Sequence, residues 1–471
     1  MAGMRIAVVG TGYVGTVTAA CLAAAGHDVV CVDERPDRIR MIQQGRAPFF
    51  EPGLPELLAA ARSAGRLRAT TDVAEAIAAS DVTLIAVGTP ISDAGVDLSQ
   101  LTAVSRQIGR ALRSAQGYHV VAVRSTVVPG TTETLVRRQL EQASGRQAGQ
   151  FGLCMNPEFL REGSAVQDAT HPDRVVIGEW DQRSGEALSR VYAPFDCPII
   201  RTTLRNAELV KCASNALLAA LISFSNELAG LCEATPGTDV DVVLRTLHLD
   251  HRLSPIVDGK RVTPGILSYL RAGCSFGGSC LPKDLKALQA YAVSQGLVPY
   301  LLNAAMTVNL ERPGQVIRLA EQALGSLNGA VVAVLGLAFK PETDDMRNAP
   351  SLSIIHQLLR QGATVAAYDP VASVAARAHL DERVRLCGSA AEACDGANAA
   401  ILVTAWPEFA TLDWPAVTAR MRRPVIVDGR NALRHLAWSD GVRYLPIGVA
   451  PAQGASGTAP TSTRSLGREN A

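Results

Sequence analysis

Gly10-Thr-Gly12-Tyr-Val-Gly15 constrains this chain more than any other stretch. It follows an apolar run, Met4–Val9, and opens an apolar helical pattern over Tyr13–Ala25. Strand, glycine turn and helix in that order begin a doubly wound α/β domain. Gly10 permits the tight turn, Gly12 lets the backbone approach a pyrophosphate, and Gly15 lets the helix pack closely on the strand. The helix N-terminus then offers N–H groups and a positive dipole end to the phosphates. Asp33 ends a second predicted strand, Asp28–Val32, 21 residues after Gly12. A carboxylate there accepts from ribose hydroxyls and repels a 2′-phosphate. The pattern predicts an NAD site built from Gly10, Gly12, Tyr13, Val14, Gly15 and Asp33. Arg35 and Arg38 lie nearby, and Arg38 is expected on the adenine or a phosphate. An ordinary glycine-rich turn is the alternative reading of the motif by itself.

The same alternation continues along the chain. Ala69–Thr71, Val82–Val87, His119–Val123 and Phe151–Met155 read as further strands of a parallel sheet with helices between them. Ligands bind beyond the carboxyl ends of such strands, so Thr89 in Val87-Gly-Thr-Pro90 and Thr126 in Arg124-Ser-Thr126 are binding candidates as well as strand-end caps. From about Asn206 the pattern becomes helical. Ala207–Cys232 is broken only by Gly230 and predicts one long helix, and the region to Leu310 shows no convincing strand. Val331–Leu335, Thr364–Tyr368, Ala399–Val403 and Val425–Val427 then predict a second α/β lobe, with a helix over Ser351–Arg360 and no glycine-rich loop. The expected fold is α/β, two Rossmann-like doubly wound lobes joined by a helical central domain with a long helix. The boundaries fall at 1–200, 201–315 and 316–452, and a Gly/Ser/Thr-rich tail over 453–471 is expected to be disordered.

At 471 residues and 48% hydrophobic content the chain suits two or three globular domains. Its 45 basic and 44 acidic residues leave a net charge of +1, which excludes nucleic acid as an expected partner. No apolar run reaches the length of a membrane span, and the first strand begins too early to leave room for a signal peptide. The ten cysteines form no Cys-x-x-Cys pair, so no metal site is expected. Cys21, Cys31, Cys154, Cys212 and Cys232 lie in apolar stretches and read as small buried residues. Free thiols without a targeting signal imply a reducing cytoplasm.

Cys280 is different. In Phe276-Gly-Gly-Ser-Cys280-Leu-Pro282-Lys283-Asp284 the proline favours a first helical turn, which places Cys280 at a helix N-terminus. The dipole there is expected to lower the thiol pKa and supply a nucleophilic thiolate. Gly277 and Gly278 are expected to leave space for a substrate. Asp284 lies four residues on, on the same helical face, where it can hold a water or shuttle a proton. Lys283 adds positive charge. Cys274 lacks the helix-start context.

With these segments in view, the sequence resembles the UDP-glucose/GDP-mannose dehydrogenase family up to about residue 450. The resemblance rests on Gly10–Gly15, Val87–Pro90, Ser125–Thr132, Asn156–Gly163, Glu208-Leu-Val-Lys211-Cys-Ala-Ser-Asn215, the cysteine segment and Gly336–Arg347. It implies that Cys280 attacks a C6 aldehyde formed by a first hydride transfer. The thiohemiacetal then loses a second hydride, and water hydrolyses the resulting thioester. Lys211 is implied as oxyanion stabiliser, or as base if its pKa is depressed, with Asn215 one turn away. Glu158 is implied as base for hydrolysis, with Thr126 and Asp284 ordering the water. Glu162 and the backbone of Phe159, Leu160 and Arg161 are implied to hold sugar and phosphates. Lys340 is implied at the nucleotide sugar and Arg347 at the cofactor; Glu162, Thr89, Thr126 and Lys283 also count as cofactor candidates. Glu158, Lys211, Asn215, Arg252, Tyr269, Phe276 and Gly277 also count as substrate candidates. Read without the resemblance, Lys211, Glu158, Glu162 and Lys340 look like solvated surface charges.

Asn156–Gly163, His171–Val175 and Asp345–Leu352 are similar to UDP-glucose enzymes, whereas Asp250–Leu253 and Leu281 are closer to GDP-mannose enzymes. UDP-glucose is the expected substrate, with GDP-mannose or another nucleotide sugar as the alternative. A homodimer or larger oligomer is implied, with the Ala207–Cys232 helix at the interface. Two other readings compete. A two-electron β-hydroxyacid-type dehydrogenase would leave Cys280 idle. A non-catalytic nucleotide-sugar sensor should have lost the thiol or the glycine-rich loop, and this chain has both.

Overall fold

The computed structural model describes residues 3–92 and 95–450, so the expected tail lies outside the described residues. The chain divides into two compact units. One is built from the chain up to Leu221 with Phe276–Thr307 and Ala338–Ala349. The other takes Ile222–Ser275, Val308–Leu337 and the chain from Pro350 on.

The first unit holds an eight-stranded sheet. Its strands are β1 (Arg5–Val9), β2 (Asp28–Val32), β3 (Leu67–Thr70), β4 (Val82–Ile85), β5 (Val120–Val123), β6 (Gly152–Met155), β7 (Val175–Glu179) and β8 (Ile199–Thr203). They lie in the order β8-β7-β6-β5-β4-β1-β2-β3. The run β3-β2-β1-β4-β5-β6 is the Rossmann order, whose direction of winding reverses between β1 and β4. Alternate residues of β1 feed different clusters: Ile6 and Val8 pack on one side, Ala7 and Val9 on the other, all essentially buried. Burial on both faces is why these strands read as continuous apolar runs rather than alternating ones.

Two expectations need correction here. The sheet is not wholly parallel, because β7 runs antiparallel to β6. Neither β7 nor β8 was foreseen: β8 is a half-exposed edge strand, and β7 follows directly on the Pro172 turn. The second correction concerns the helical middle region, which carries a two-residue hairpin, Ile256–Val257 with Lys260–Arg261.

The second unit holds six parallel strands: β9 (Val331–Leu335), β10 (Thr364–Tyr368), β11 (Arg385–Leu386), β12 (Ala399–Leu402), β13 (Val425–Asp428) and β14 (Arg443–Pro446). Their order, β11-β10-β9-β12-β13-β14, repeats the Rossmann winding. Asp369 follows β10 as Asp33 follows β2, but it is spent within the protein. It accepts from Leu337 N (2.7 Å), Trp406 Nε1 (3.0 Å) and the backbone N–H groups of Val371 and Ala372.

Helix α1 (Tyr13–Ala24) follows β1 and is buried from Gly15 to Ala23, so it is apolar on nearly all sides. Helix α2 (Leu204–Ala234) runs 31 residues. By length and mean hydropathy it is the one described helix long and apolar enough to cross a membrane. Counting uninterrupted apolar residues did not anticipate this. Glu208, Lys211 and Asn215 on this helix all engage polar partners inside the first unit. Helix α3 (Leu281–Ser294) begins directly after Cys280, with Pro282 in its first turn, as the sequence predicts.

Candidate active site

The glycine turn fits a dinucleotide. Gly10 has φ +99°, and a Cβ there would lie 2.6 Å from the carbonyl oxygen of Ala86. A Cβ on Gly15 would lie 1.8 Å from the oxygen of Gly10, whereas one on Gly12 would meet nothing within 4 Å. Two glycines are therefore required by the fold, and the third leaves open space beside the backbone where α1 begins. The turn is braced by Asp33, whose carboxylate accepts from Thr11 N (2.7 Å), Thr11 Oγ1 (2.8 Å) and Arg35 N (3.0 Å). Arg38 lies 3.7 Å from the same carboxylate. At the ends of β4 and β5, Thr89 Oγ1 donates to Thr126 O (2.7 Å), so these two candidates meet.

Tyr13, at the first turn of α1, stacks on Phe49 with ring centroids 4.8 Å apart and hydrogen-bonds Glu51. Glu51 also accepts from Gly163 N and Ala165 N, both at 2.7 Å. Glu51 is 2% exposed and organises the Glu158–Gly163 loop. Sequence reasoning missed it, because a lone carboxylate in an aromatic and proline-rich loop has no spacing signature.

The second cluster surrounds Cys280. Lys211 Nζ lies 2.8 Å from Glu158 Oε1, with side chains 3% and 5% exposed. These are not the solvated charges a reading without the resemblance gives. Burial works against the charge of Lys211, but Glu158, Asp284 and Cys280 outweigh it and raise its pKa above the ordinary value. The base role allowed for a depressed Lys211 is thereby corrected: it is a fixed ammonium. Burial likewise pushes Glu158 up, but Lys211 and the N–H of Leu160 (2.6 Å) prevail and hold it below the usual carboxylate range. Phe159 lies under the Arg174 guanidinium at 4.1 Å and near Lys211 Nζ at 5.8 Å.

On α3, Asp284 is fully buried. Asn215 Nδ2 donates to its Oδ2 (2.6 Å) and Lys283 Nζ to its Oδ1 (2.5 Å). Lys211 and Asn215, one turn apart on α2, thus face the glutamate and aspartate of two other segments. The thiol itself departs from expectation. Burial raises the Cys280 pKa above its ordinary value, and Lys211 opposes this only in part. A helix N-terminus does not by itself deliver a thiolate once the sulfur is desolvated. Cys274 is wholly buried, and its sulfur lies 3.2 Å from Gly429 O, as suits a structural thiol.

A third group adjoins the cysteine. Glu162 Oε1 accepts from Ser279 Oγ (3.0 Å) and from Arg347 (3.2 Å), and Arg347 also forks onto Asp345 (2.8 Å). Burial, then the neighbouring Asp345 carboxyl, push Glu162 up to about 7. Burial lowers the pKa of Lys340, partly against the pull of Glu162. The glycines of the cysteine segment are also reassigned. A Cβ on Gly277 would lie 2.3 Å from Asn348 O, and one on Gly278 2.9 Å from the Phe339 ring. They admit the protein's own Phe339–Ala349 segment.

The remaining candidates are dispersed. Arg161 is more than half exposed and pairs with Asp168 (2.5 Å). Phe276 is buried beside the cysteine segment. Arg252 and Tyr269 belong to the second unit; Arg252 is 89% exposed and forks onto Asp250. Among the described residues no group of three or more His, Cys, Asp or Glu is arranged to hold a metal ion.

Glycine turn, buried ammonium–carboxylate pair and helix-start cysteine together suit the class of NAD-linked dehydrogenases. Three family models match in sequence: the UDP-glucose/GDP-mannose dehydrogenase family NAD binding domain over residues 4–196, its central domain over 205–311, and its UDP binding domain over 333–435. The UDP-glucose 6-dehydrogenase of Pseudomonas aeruginosa is 42% identical over 439 residues, covering 91% of this chain and 93% of that protein. UDP-glucose 6-dehydrogenase AglM of Haloferax volcanii is 41% identical over 436 residues, covering 91% and 97%. A solved UDP-glucose dehydrogenase from Pyrobaculum islandicum superposes with a TM-score of 0.86 at 40% identity, covering 95% of this chain and 98% of that one. The chain belongs to the UDP-glucose/GDP-mannose dehydrogenase family and is a nucleotide-sugar 6-dehydrogenase that uses NAD.

Proposed function

We propose that the protein oxidises the C6 alcohol of UDP-glucose to the carboxylate of UDP-glucuronate, a four-electron reaction passing through a covalent intermediate on Cys280. The observation that carries this reading is Cys280 at the start of α3, in the electrostatic environment of Lys211, Glu158 and Asp284. When bound, NAD+ supplies the hydride acceptor for each of the two oxidation rounds. The sulfur of Cys280 adds to the C6 aldehyde as its thiol proton leaves, and the thiohemiacetal becomes a thioester on loss of the second hydride. Lys211, held as an ammonium, donates to the oxygen that gains charge at C6, with Asn215 beside it on α2. Glu158, held as a carboxylate, takes the proton of the water that cleaves the thioester, and Thr126 and Asp284 order that water. Glu162 and the Phe159–Arg161 backbone position the sugar and its phosphates. Lys340 meets the nucleotide sugar and Arg347 the cofactor. Asp33 selects NAD over its 2′-phosphate.

Three further assignments accompany this reading. The domains divide near residues 200, 315 and 452. The enzyme works in the cytoplasm, where ten free thiols persist. It forms at least a homodimer through α2, whose exposed Leu209, Leu217, Phe224 and Leu231 recur at near-heptad spacing.

NADH production with UDP-glucose, GDP-mannose and UDP-N-acetylglucosamine, each at matched concentration, tests the substrate. UDP-glucose should give the highest kcat/KM. A higher value with GDP-mannose would favour the reading suggested by Asp250–Leu253 and Leu281.

A further inference from the structure

A nucleophilic thiol needs a base, and the groups nearest Cys280 are committed elsewhere. Lys211 is an ammonium paired with Glu158, and each oxygen of Asp284 already accepts a hydrogen bond, from Asn215 and from Lys283. The described hydrogen-bond contact of the sulfur is Ser279 Oγ at 3.5 Å. That hydroxyl in turn donates to Glu162 Oε1 at 3.0 Å. Either atom of that contact can be the donor; a hydroxyl has one proton, so while an ionised Glu162 takes the Ser279 proton, the serine offers a lone pair to the S–H. The contacts therefore run in one direction, from thiol to hydroxyl to carboxylate. Glu162 Oε2 is buried with no donor against it among the described residues, and the Asp345 carboxyl beside Glu162 favours its protonated form, so the carboxyl has capacity for a proton.

We infer that Ser279 is a proton relay that carries the Cys280 proton to Glu162 as the thiol attacks. This rests on the proposed role of Cys280 as nucleophile. The S–H bond breaks and its proton binds Ser279 Oγ while the serine's own proton passes to Glu162 Oε1. The sulfur electron pair forms the bond to the aldehyde carbon, and the C=O π pair moves onto oxygen. No electron leaves the substrate in this step; the hydride transfer that follows is the oxidation. Ser279 ends as it began, and Glu162 later loses its proton to solvent.

The electrostatic setting suits the task. Glu162 is faced by Asp345, Arg347, Lys340 and Tyr13, and Cys280 by Lys211, Glu158, Asp284 and Arg347. A carboxyl poised near 7 takes a proton at neutral pH and gives it back, which a carboxyl in water near 4 does poorly.

The test is single-turnover oxidation of the UDP-sugar 6-aldehyde by the NAD-loaded enzyme across pH 5.5–9, buffer conditions on the order of those in which the general base titrates. The wild type should show a rate that rises through about 7 and then levels, as Glu162 ionises. Ser279→Ala should lower the rate constant about 100-fold with substrate KM unchanged, and its rate should keep climbing with hydroxide. Ser279→Thr, which keeps the hydroxyl, should restore the plateau. Equal damage from Ser279→Ala and Ser279→Thr, or a Ser279→Ala profile like the wild type's, would overturn the relay. Should Ser279→Ala fail to bind NAD, the wild type itself decides. Its rate against deuterium fraction should be curved for a two-proton transfer, and a straight line overturns the relay. Cys280→Ser separates the two claims. It should lose turnover while still binding NAD; normal turnover there sinks the nucleophile reading itself, whereas a dead Cys280→Ser with an unaltered Ser279→Ala sinks the relay alone.

Discussion

Lys211 and Glu158 show how residues that look like surface charge become fixed machinery. Both are almost wholly buried, and each is ionised because the other is. Burying two charges is costly, and removing one partner of such a pair strands the other at about 3–5 kcal/mol. Glu158→Gln should therefore lower thermal stability at neutral pH as well as slow thioester hydrolysis. The sign of the pH dependence follows from the shift. Glu158 is held below its ordinary 4.5, so the unfolded chain binds the proton more readily. Its stabilising contribution is complete above 4.5 and is lost as pH falls through the folded pKa. Melting temperatures measured from pH 7 to pH 3 should converge for wild type and Glu158→Gln at the acid end. A constant gap between them down to pH 3 would mean the pair carries no linkage. None of this burial can be read from residue type. Lys211 was legible as a site residue only through the motif Glu208–Asn215, and the direction of its pKa only through the partner that folding brings to it.

At the scale of elements, the first β–α–β unit was the most legible part of the chain, since β1, the glycine turn, α1 and β2 are contiguous and each local preference agrees with the fold. What escaped depends on distant segments. β8 is a half-exposed edge strand without a clear pattern, the antiparallel pairing of β7 is a matter of topology, and Gly277 and Gly278 are explained by a segment some 70 residues away in sequence. The helix-start position of Cys280 was predicted correctly, but the expected lowering of its pKa was not, because burial, a tertiary property, pushes it up. Asp33 belongs to both worlds. Its position after β2 predicts cofactor choice, while its contacts show a second task in bracing the turn through Thr11. Asp33→Ala should leave the Thr11 N–H without its partner, at about 1–3 kcal/mol, and weaken both cofactors. The selective effect is the informative one: kcat/KM for NAD should fall by a larger factor than that for NADP. If the two fell equally, Asp33 would be a structural brace alone, and a wild type that used NADP as well as NAD would point to Arg35 or Arg38 as ligands of the extra phosphate.

The whole molecule joins two lobes of the same strand order, and among the described residues only the first combines the glycine turn with a carboxylate, Asp33, that braces it. In the second, the corresponding Asp369 is bound to backbone N–H groups and the Trp406 indole. A chain with one such dinucleotide site and one candidate thiol must carry out any four-electron oxidation as two successive hydride transfers at that one site. Taking a primary alcohol to the aldehyde removes two electrons, and taking the thiohemiacetal to the thioester removes two more; hydrolysis removes none. Each round reduces one NAD+. With UDP-glucose limiting and NAD in excess, the NADH formed should reach twice the sugar consumed, and free aldehyde should stay below detection by a carbonyl trap, because the thiol captures it before release. A ratio of one with aldehyde accumulating would return the protein to the two-electron class and leave Cys280 without a chemical role. A ratio of two with trappable aldehyde would keep the overall reaction but place the second oxidation on the free hydrate, and would remove the need for a covalent intermediate.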